Sequence, residues 1–221
     1  MTIVTRPLDD FFPLIQPQAS ACPIPMIEQA LRLAAVEFCE RTRCWRHMIR
    51  RDVTRATLNM VAPIYATIHE IETATWEGNP LTPTQFSNVQ NDIENPVASG
   101  NPMYITQVAP GSITLIPFVA GHVVLSVFLK PKVADDLAAI SSYAPGDQEI
   151  NVLPEFLLVQ HGETLAAGAL TRILALPHQS FTDPNRAGGF QAIFERGVNT
   201  HFARNIRGQH RAAPRSRANY F

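Results

Sequence analysis

From Met26 to about Trp45, apolar side chains recur at helical spacing: Ile27, Ala30, Leu31, Ala34, Ala35, Phe38 and Cys39. Arg32, Glu37, Glu40, Arg41 and Arg43 fall largely on the opposite side, which is the signature of an amphipathic helix. Pro25 stands where a first-turn proline is tolerated, so the pattern predicts a helix over 25–46. The same period returns at Pro154, with Phe156, Leu157, Val159, Gln160, Leu165, Ala169, Leu170, Ile173 and Leu174 in one stripe, predicting a helix over 154–176. Gly162 and Gly168 lie inside it. Each costs up to ~1 kcal/mol against alanine, a loss that close approach of another helix would offset. Because this chain is expected to form oligomers, both glycines are candidates for packing between subunits. Asp183-Pro184 reads as an N-cap followed by a first-position proline. A third helix over 183–206 then passes through Phe190, Ile193, Phe194, Val198 and Phe202.

Between these helices the period changes to two. Val53, Arg55, Thr57, Asn59 and Val61 alternate with Thr54, Ala56, Leu58 and Met60, as the two faces of a strand would. Tyr65, Thr67, His69 and Ile71 continue the β pattern up to the turn cluster Trp76-Glu77-Gly78-Asn79-Pro80. Further strands are predicted at 103–108, 112–116 and 122–129, separated by Gly100-Asn101-Pro102, Pro110-Gly111 and 117–121. Short β-rich runs with such punctuation read as an antiparallel sheet. Residues 81–95 are ambiguous, with Thr82 able to cap a short helix that has Pro83 at its first position. Residues 132–150 read as a loop.

The expected architecture is therefore α+β: a helical bundle of one N-terminal and two C-terminal helices, with an inserted antiparallel β-rich region over 52–130. Residues 1–23, with Pro7, Pro13, Pro17 and Pro23, read as an extended N-terminal arm. Residues 24–207 then form a single domain, and 208–221 an extended C-terminal arm, polar and basic, that a partner would have to order.

Charge sharpens this picture. The net charge is −1, but residues 56–185 carry −9, while 32–55 carry +4 and 186–221 carry +6. Only 17% of residues are charged, below the usual ~25%, a mild sign that other subunits cover part of the surface. Of 18 basic residues all but Lys130 and Lys132 are arginine, the cation suited to fixed, two-pronged interfaces. No basic start followed by an apolar run resembles a signal peptide, and no apolar stretch reaches the ~18 residues of a membrane span. Synthesis in a cytoplasm is expected. Cys22, Cys39 and Cys44 are too few and oddly spaced for a disulfide framework. Cys39 and Cys44 are five apart on a predicted helix, which is not the spacing that shares a face.

Catalytic signatures are missing. There is no G-x-S-x-G elbow, H-E-x-x-H helix, P-loop or Rossmann glycine fingerprint. His47, His69, His122, His161, His178, His201 and His210 include no pair at i, i+3 or i+4, so no local metal pair is indicated. Glu70 and Glu72 beside His69 could serve acid–base chemistry, as in a hydrolase, though a solvated strand face accounts for them better. Tyr104, Trp76, Trp45 and Phe128 are more ordinary as core than as ligand platforms. Asp135-Asp136 is most simply a solvated pair. No catalytic residue, metal site or cofactor is expected.

One feature requires a partner. Arg204, Arg207, Arg211, Arg215 and Arg217 lead to a terminal Tyr220-Phe221. Aromatic anchors behind arginines suit a peptide docking into a protein crevice. A nucleic-acid arm, with arginines on phosphates and aromatics stacked on bases, is the rival reading. The acidic middle of the chain opposes it.

Several segments, taken in order, resemble the head–tail adaptor (connector) proteins of tailed bacteriophages, chiefly of the short-tailed podovirus type. They are Gln29-Ala30-Leu31-Arg32-Leu33-Ala34-Ala35-Val36-Glu37-Phe38-Cys39-Glu40-Arg41-Thr42, then Gly100-Asn101-Pro102-Met103-Tyr104 with Ile113-Thr114-Leu115-Ile116-Pro117. Leu153-Pro154-Glu155-Phe156, Gly168-Ala169-Leu170-Thr171-Arg172-Ile173-Leu174 and Phe181-Thr182-Asp183-Pro184 follow. The group's usual "LxPxP" is here Leu115-Ile116-Pro117-Phe118, lacking the second proline. The resemblance implies a homo-oligomeric ring, typically of twelve copies, at the head–tail junction of the virion. The ring would bind the portal protein and offer a platform to tail or nozzle proteins. Genomic DNA would pass through its channel without sequence-specific binding, and no membrane, cofactor or reaction is implied. In such proteins the C-terminal segment reaches onto the portal, which would make Arg204, Arg207, Arg211, Arg215, Arg217, Tyr220 and Phe221 a portal-docking arm.

Overall fold

The computed structural model describes residues 4–58, 61–89, 100–108, 111–132 and 151–206. They fall into two compact units, one running up to Cys44 and resuming at Pro154, the other from Trp45 to Leu153.

In the first unit a short strand, β1 (Thr5–Pro7), leads into a 3-10 turn at Leu8–Phe11, a single turn α1 (Phe12–Ile15) and a second 3-10 turn at Gln16–Gln18. The expectation of an extended arm over 1–23 is corrected here. Pro13 and Pro17 occupy first-turn positions, where they start helical turns rather than prevent them. Leu8, Phe11, Phe12 and Ile15 are buried, so this segment is core. Three long helices follow: α2 (Ile24–Thr42), α3 (Glu155–Leu174) and α4 (Pro184–Ile206). Each lies close to the span expected from its apolar stripe. α2 ends four residues early because Arg43 takes a left-handed backbone (φ 52°), and its N–H donates to the Cys39 carbonyl at 2.9 Å. Asp183 caps α4 as its sequence indicated, accepting the Arg186 N–H at 3.0 Å.

The second unit holds β2 (Arg46–Val53), β3 (Thr57–Leu58), β4 (Ala66–Trp76), β5 (Asn79–Pro80), β6 (Thr82–Pro83), β7 (Tyr104–Thr106), β8 (Ile113–Ile116) and β9 (Gly121–Pro131). One sheet has the order β2-β9-β4-β5. Its centre, β9, pairs antiparallel with β2 from Arg46↔Phe128 to Val53↔Gly121. It pairs with β4 from Ala66↔Pro131 to Trp76↔Val123, with register shifts between Ile68 and Glu70 and between Ile71 and Thr73. Val123, Leu125, Val127 and Leu129 alternate along β9 and are fully buried, whereas Phe128 on the other face lies under the Arg46 guanidinium, 5.3 Å from the ring centre. The other sheet has the order β3-β8-β7-β6, and its β6–β7 pairing is parallel. Thr82-Pro83, readable from sequence as a helix start, is a strand here because Thr82 N–H donates to the Met103 carbonyl at 2.8 Å.

The expected fold class is therefore overturned. The chain is a mixed α/β fold: about 45% of the described residues are helical and 29% are in strands. The strands form three separate sheets, and this is not a helical bundle carrying a single inserted antiparallel region. The physical reason is that Arg43 stops α2, and that β3 pairs with β8 whereas β2 and β4 pair with β9, which divides the strands between sheets. A stripe read along the chain reports neither event.

Candidate functional site

The three long helices position the residues to which sequence had assigned a role. α4 meets α3 closely enough that glycine is required. A Cβ built on Gly168 would sit 2.7 Å from Cδ2 and Cε2 of Phe194 and 3.0 Å from the Ala34 Cβ. One built on Gly197 would lie 2.4 Å from Thr164 Cγ2. Gly168 thus meets α4 and α2 of its own chain. A Cβ built on Gly162 would lie 3.2 Å from Leu14 Cδ1.

Beside this contact a charged network joins all three helices. Glu37 Oε1 accepts from Arg41 Nη1 at 2.9 Å, and its Oε2 accepts from Arg172 Nη2. Arg41 also donates from Nη1 and Nη2 to the Glu195 carboxylate at 2.8 and 2.6 Å. The bond from Arg41 holds the Glu195 carboxyl below its usual range, outweighing partial burial. Arg172 Nη1 donates to the Gly168 carbonyl at 2.8 Å, and its guanidinium lies 5.8 Å from the centre of the Phe194 ring. At the far end of α4, Asn205 Nδ2 donates to the carbonyls of Thr42 and Arg43, both at 2.8 Å, and so occupies the C-terminal end of α2.

Between these anchors α3 and α4 bring together two histidines that are 40 positions apart. His161 Nδ1 and His201 Nε2 are 3.2 Å apart, and the Phe38 ring packs against both, at 4.8 and 5.7 Å between centres. Burial, with the nearby charges of His201 and Arg204, lowers the His161 pKa to about 4; burial and Arg204 lower His201 as well. Both rings are therefore neutral near pH 7. They border an open groove of about 690 Å³ that Asp10, Leu14, Glu163 and Arg204 also line. Among the described residues, no three His, Cys, Asp or Glu side chains gather as metal ligands.

The outward side of α4 is different. Among its described side chains only Ala187, Phe194 and Val198 are buried. Gly188, Gly189, Ala192, Ile193, Thr200, Phe202 and Ala203 are exposed. Beyond the ion-paired Arg186 and Glu195, the helix carries only Arg196 and Arg204 as charged side chains. Val159 on α3 is also bare, at 74% exposure. Arg204, the first arginine of the basic C-terminal series, is exposed at the end of this helix. Arg207, Arg211, Arg215, Arg217, Tyr220 and Phe221 lie outside the described residues, as do His210, Asp135 and Asp136.

In the β unit one of the acid–base candidates, Glu72, is tied into a hydrogen-bonded ion pair. Glu72 accepts from Arg46 Nε and Nη2 at 2.8 and 2.6 Å and from Ser126 Oγ at 2.7 Å. Partial burial would raise its pKa, but the Ser126 and Arg46 bonds outweigh that and keep it low. A carboxylate held ionised in this way has no proton to donate as an acid. Trp45, Trp76 and Phe128 are buried, whereas Tyr104 is exposed. Sequence reasoning missed the Glu37–Arg41–Arg172–Glu195 network, although the i, i+4 spacing of Glu37 and Arg41 was a legible signal. Nothing local marked His161 and His201 as partners. Compared with family models and with curated proteins, the chain matches none.

Proposed function

We propose that the protein is a structural subunit of a tailed bacteriophage, a head–tail adaptor that joins a ring beneath the portal. The ring extends the DNA channel and presents a platform to tail proteins. The observation that carries this reading is the outward face of α4. A helix of 23 residues, ~35 Å long, buries one narrow stripe and leaves a face of glycine, alanine, isoleucine and threonine almost without charge. Such a face suits a neighbouring copy packed side by side, because small side chains let backbones approach and few charges must be desolvated. In sequence the same helix runs through Arg204 into the arginine-rich terminal segment, so the proposed portal-docking peptide follows the proposed ring contact along the chain. The order of motifs resembling adaptor proteins supports the same reading.

The decisive experiment mixes purified protein with portal rings and images the product. Twelvefold rings that form only on the portal support the proposal, and a stable monomer that ignores the portal overturns it. Removal of 208–221 is expected to leave the fold intact and abolish attachment. Retained attachment refutes the docking role of the arm. A nucleic-acid arm would instead show affinity that falls steeply with salt and disappears with the same deletion.

A further inference from the structure

Just past the left-handed Arg43 that ends α2, Cys44 Sγ lies 4.0 Å from Cys39 Sγ. Both are free thiols. Cys39 is fully buried in the last turn of the helix, whereas Cys44 is only partly buried. Thiols at this separation differ from a bonded pair by an approach of about 2 Å. Cys44 lies beyond the helix, one residue past its cap. The third thiol, Cys22, is buried near the start of the same helix and has no sulfur beside it among the described residues.

We infer that Cys44 and Cys39 form a peroxide-oxidisable pair, with Cys44 as the attacking thiol and Cys39 as the one that resolves it into an intrachain disulfide. The Cys44 sulfur attacks one oxygen of hydrogen peroxide. The O–O bond breaks, and the departing hydroxide leaves as water with the Cys44 proton. Cys44 is then a sulfenic acid, oxidised by two electrons. Cys39 attacks the Cys44 sulfur, the S–S bond forms and the S–O bond breaks. The second hydroxide leaves as water with the Cys39 proton. Two thiols and one peroxide thus yield one disulfide and two waters.

The two environments divide these roles. Contact with Cys39 lowers the Cys44 thiol below its usual range against the effect of burial, and a bond with Thr42 assists. The same contact and burial push Cys39 well up, so it stays protonated until its neighbour has been oxidised. The product would fasten the end of α2 to the residue beyond its cap. That is where Asn205 of α4 holds the Thr42 and Arg43 carbonyls, so oxidation would lock the end of α2 from two sides. This inference is independent of the adaptor reading.

The test treats the reduced full-length protein with stoichiometric hydrogen peroxide, blocks remaining thiols with iodoacetamide and digests with trypsin. Cleavage after Arg41 and Arg43 separates the two cysteines, so their disulfide appears as a linked peptide pair. The expected result is that linked pair as the main product, with Cys22 alkylated. Cys44→Ser is expected to yield no linked pair and to consume peroxide at least ~10-fold more slowly. Cys39→Ala, chosen so that no hydroxyl is buried, is expected to leave Cys44 as a sulfenic acid that dimedone traps. Three alkylated thiols after oxidation, a Cys44 sulfinic acid with Cys39 alkylated, or linkage through Cys22 would each overturn the inference.

Discussion

Replacing Gly168 by alanine tests whether the contact between α3 and α4 is as close as described. In an exposed helix interior this exchange gains up to ~1 kcal/mol, because alanine restricts the unfolded chain and favours the helix. At Gly168 the new methyl would stand 2.7 Å from two carbons of the Phe194 ring and 3.0 Å from the Ala34 Cβ. Carbon atoms ordinarily rest about 3.5–4.0 Å apart. Phe194 is 3% exposed and lies beside Arg172, which is itself tied to Glu37, and Ala34 is fully buried. Neither neighbour has space to withdraw, and overpacking of this kind costs ~1–3 kcal/mol. Set against the propensity gain, the expected net loss is about 1–2 kcal/mol. Urea unfolding followed by far-ultraviolet circular dichroism reports mainly on the helical unit. With a slope of ~2 kcal/mol/M the midpoint should fall by about 0.5–1 M. Gly189→Ala on the open face of α4, where a Cβ meets nothing within 4 Å, should move the midpoint the other way by up to ~0.5 M. In a Phe194→Leu background the cost of Gly168→Ala should shrink, exposing the pairwise coupling. If Gly168→Ala proves at least as stable as Gly189→Ala, the close-packing account is wrong.

Three further outcomes are expected. His161 titrates near 4 in the fold and near 6.5 when unfolded, so the unfolded chain takes up a proton that the fold refuses. Its contribution is whole above pH 6.5 and declines as pH falls toward 4, by at most roughly 3 kcal/mol. His161→Phe should therefore lose less stability than wild type between pH 7 and pH 4.5, and equal losses in urea midpoint would exclude the effect. Glu37→Gln removes the charge shared by Arg41 and Arg172; since all three side chains are about a third exposed, the cost should be near ~1 kcal/mol. A double-mutant cycle with Arg172→Met measures it, and a coupling indistinguishable from zero would show that the network is ornamental to stability. Asn205→Ala deprives the end of α2 of two donors and should cost about 1–2 kcal/mol, read as faster hydrogen exchange at the Arg43 amide; unchanged exchange would refute the capping role.

The sequence by itself determined the elements whose signal is local. The apolar stripes of α2, α3 and α4 and the cap at Asp183 are written within one or two turns, and the alternation of β9 within its own strand. Features set by distant partners were not legible. The prolines of residues 1–23 suggested an extended arm, yet Phe11 and Ile15 are wholly buried, because core on the helices was available to receive them. Strand-forming residues could be recognised, but their division into separate sheets depends on which strands pair across the chain. His161 and His201 meet only because α3 and α4 pack closely at Gly168 and Gly197. Cys39 and Cys44 show the limit most clearly. A spacing of five argues against proximity only while the helix continues. One left-handed residue, Arg43, ends it, so the folded chain joins what periodicity had set apart.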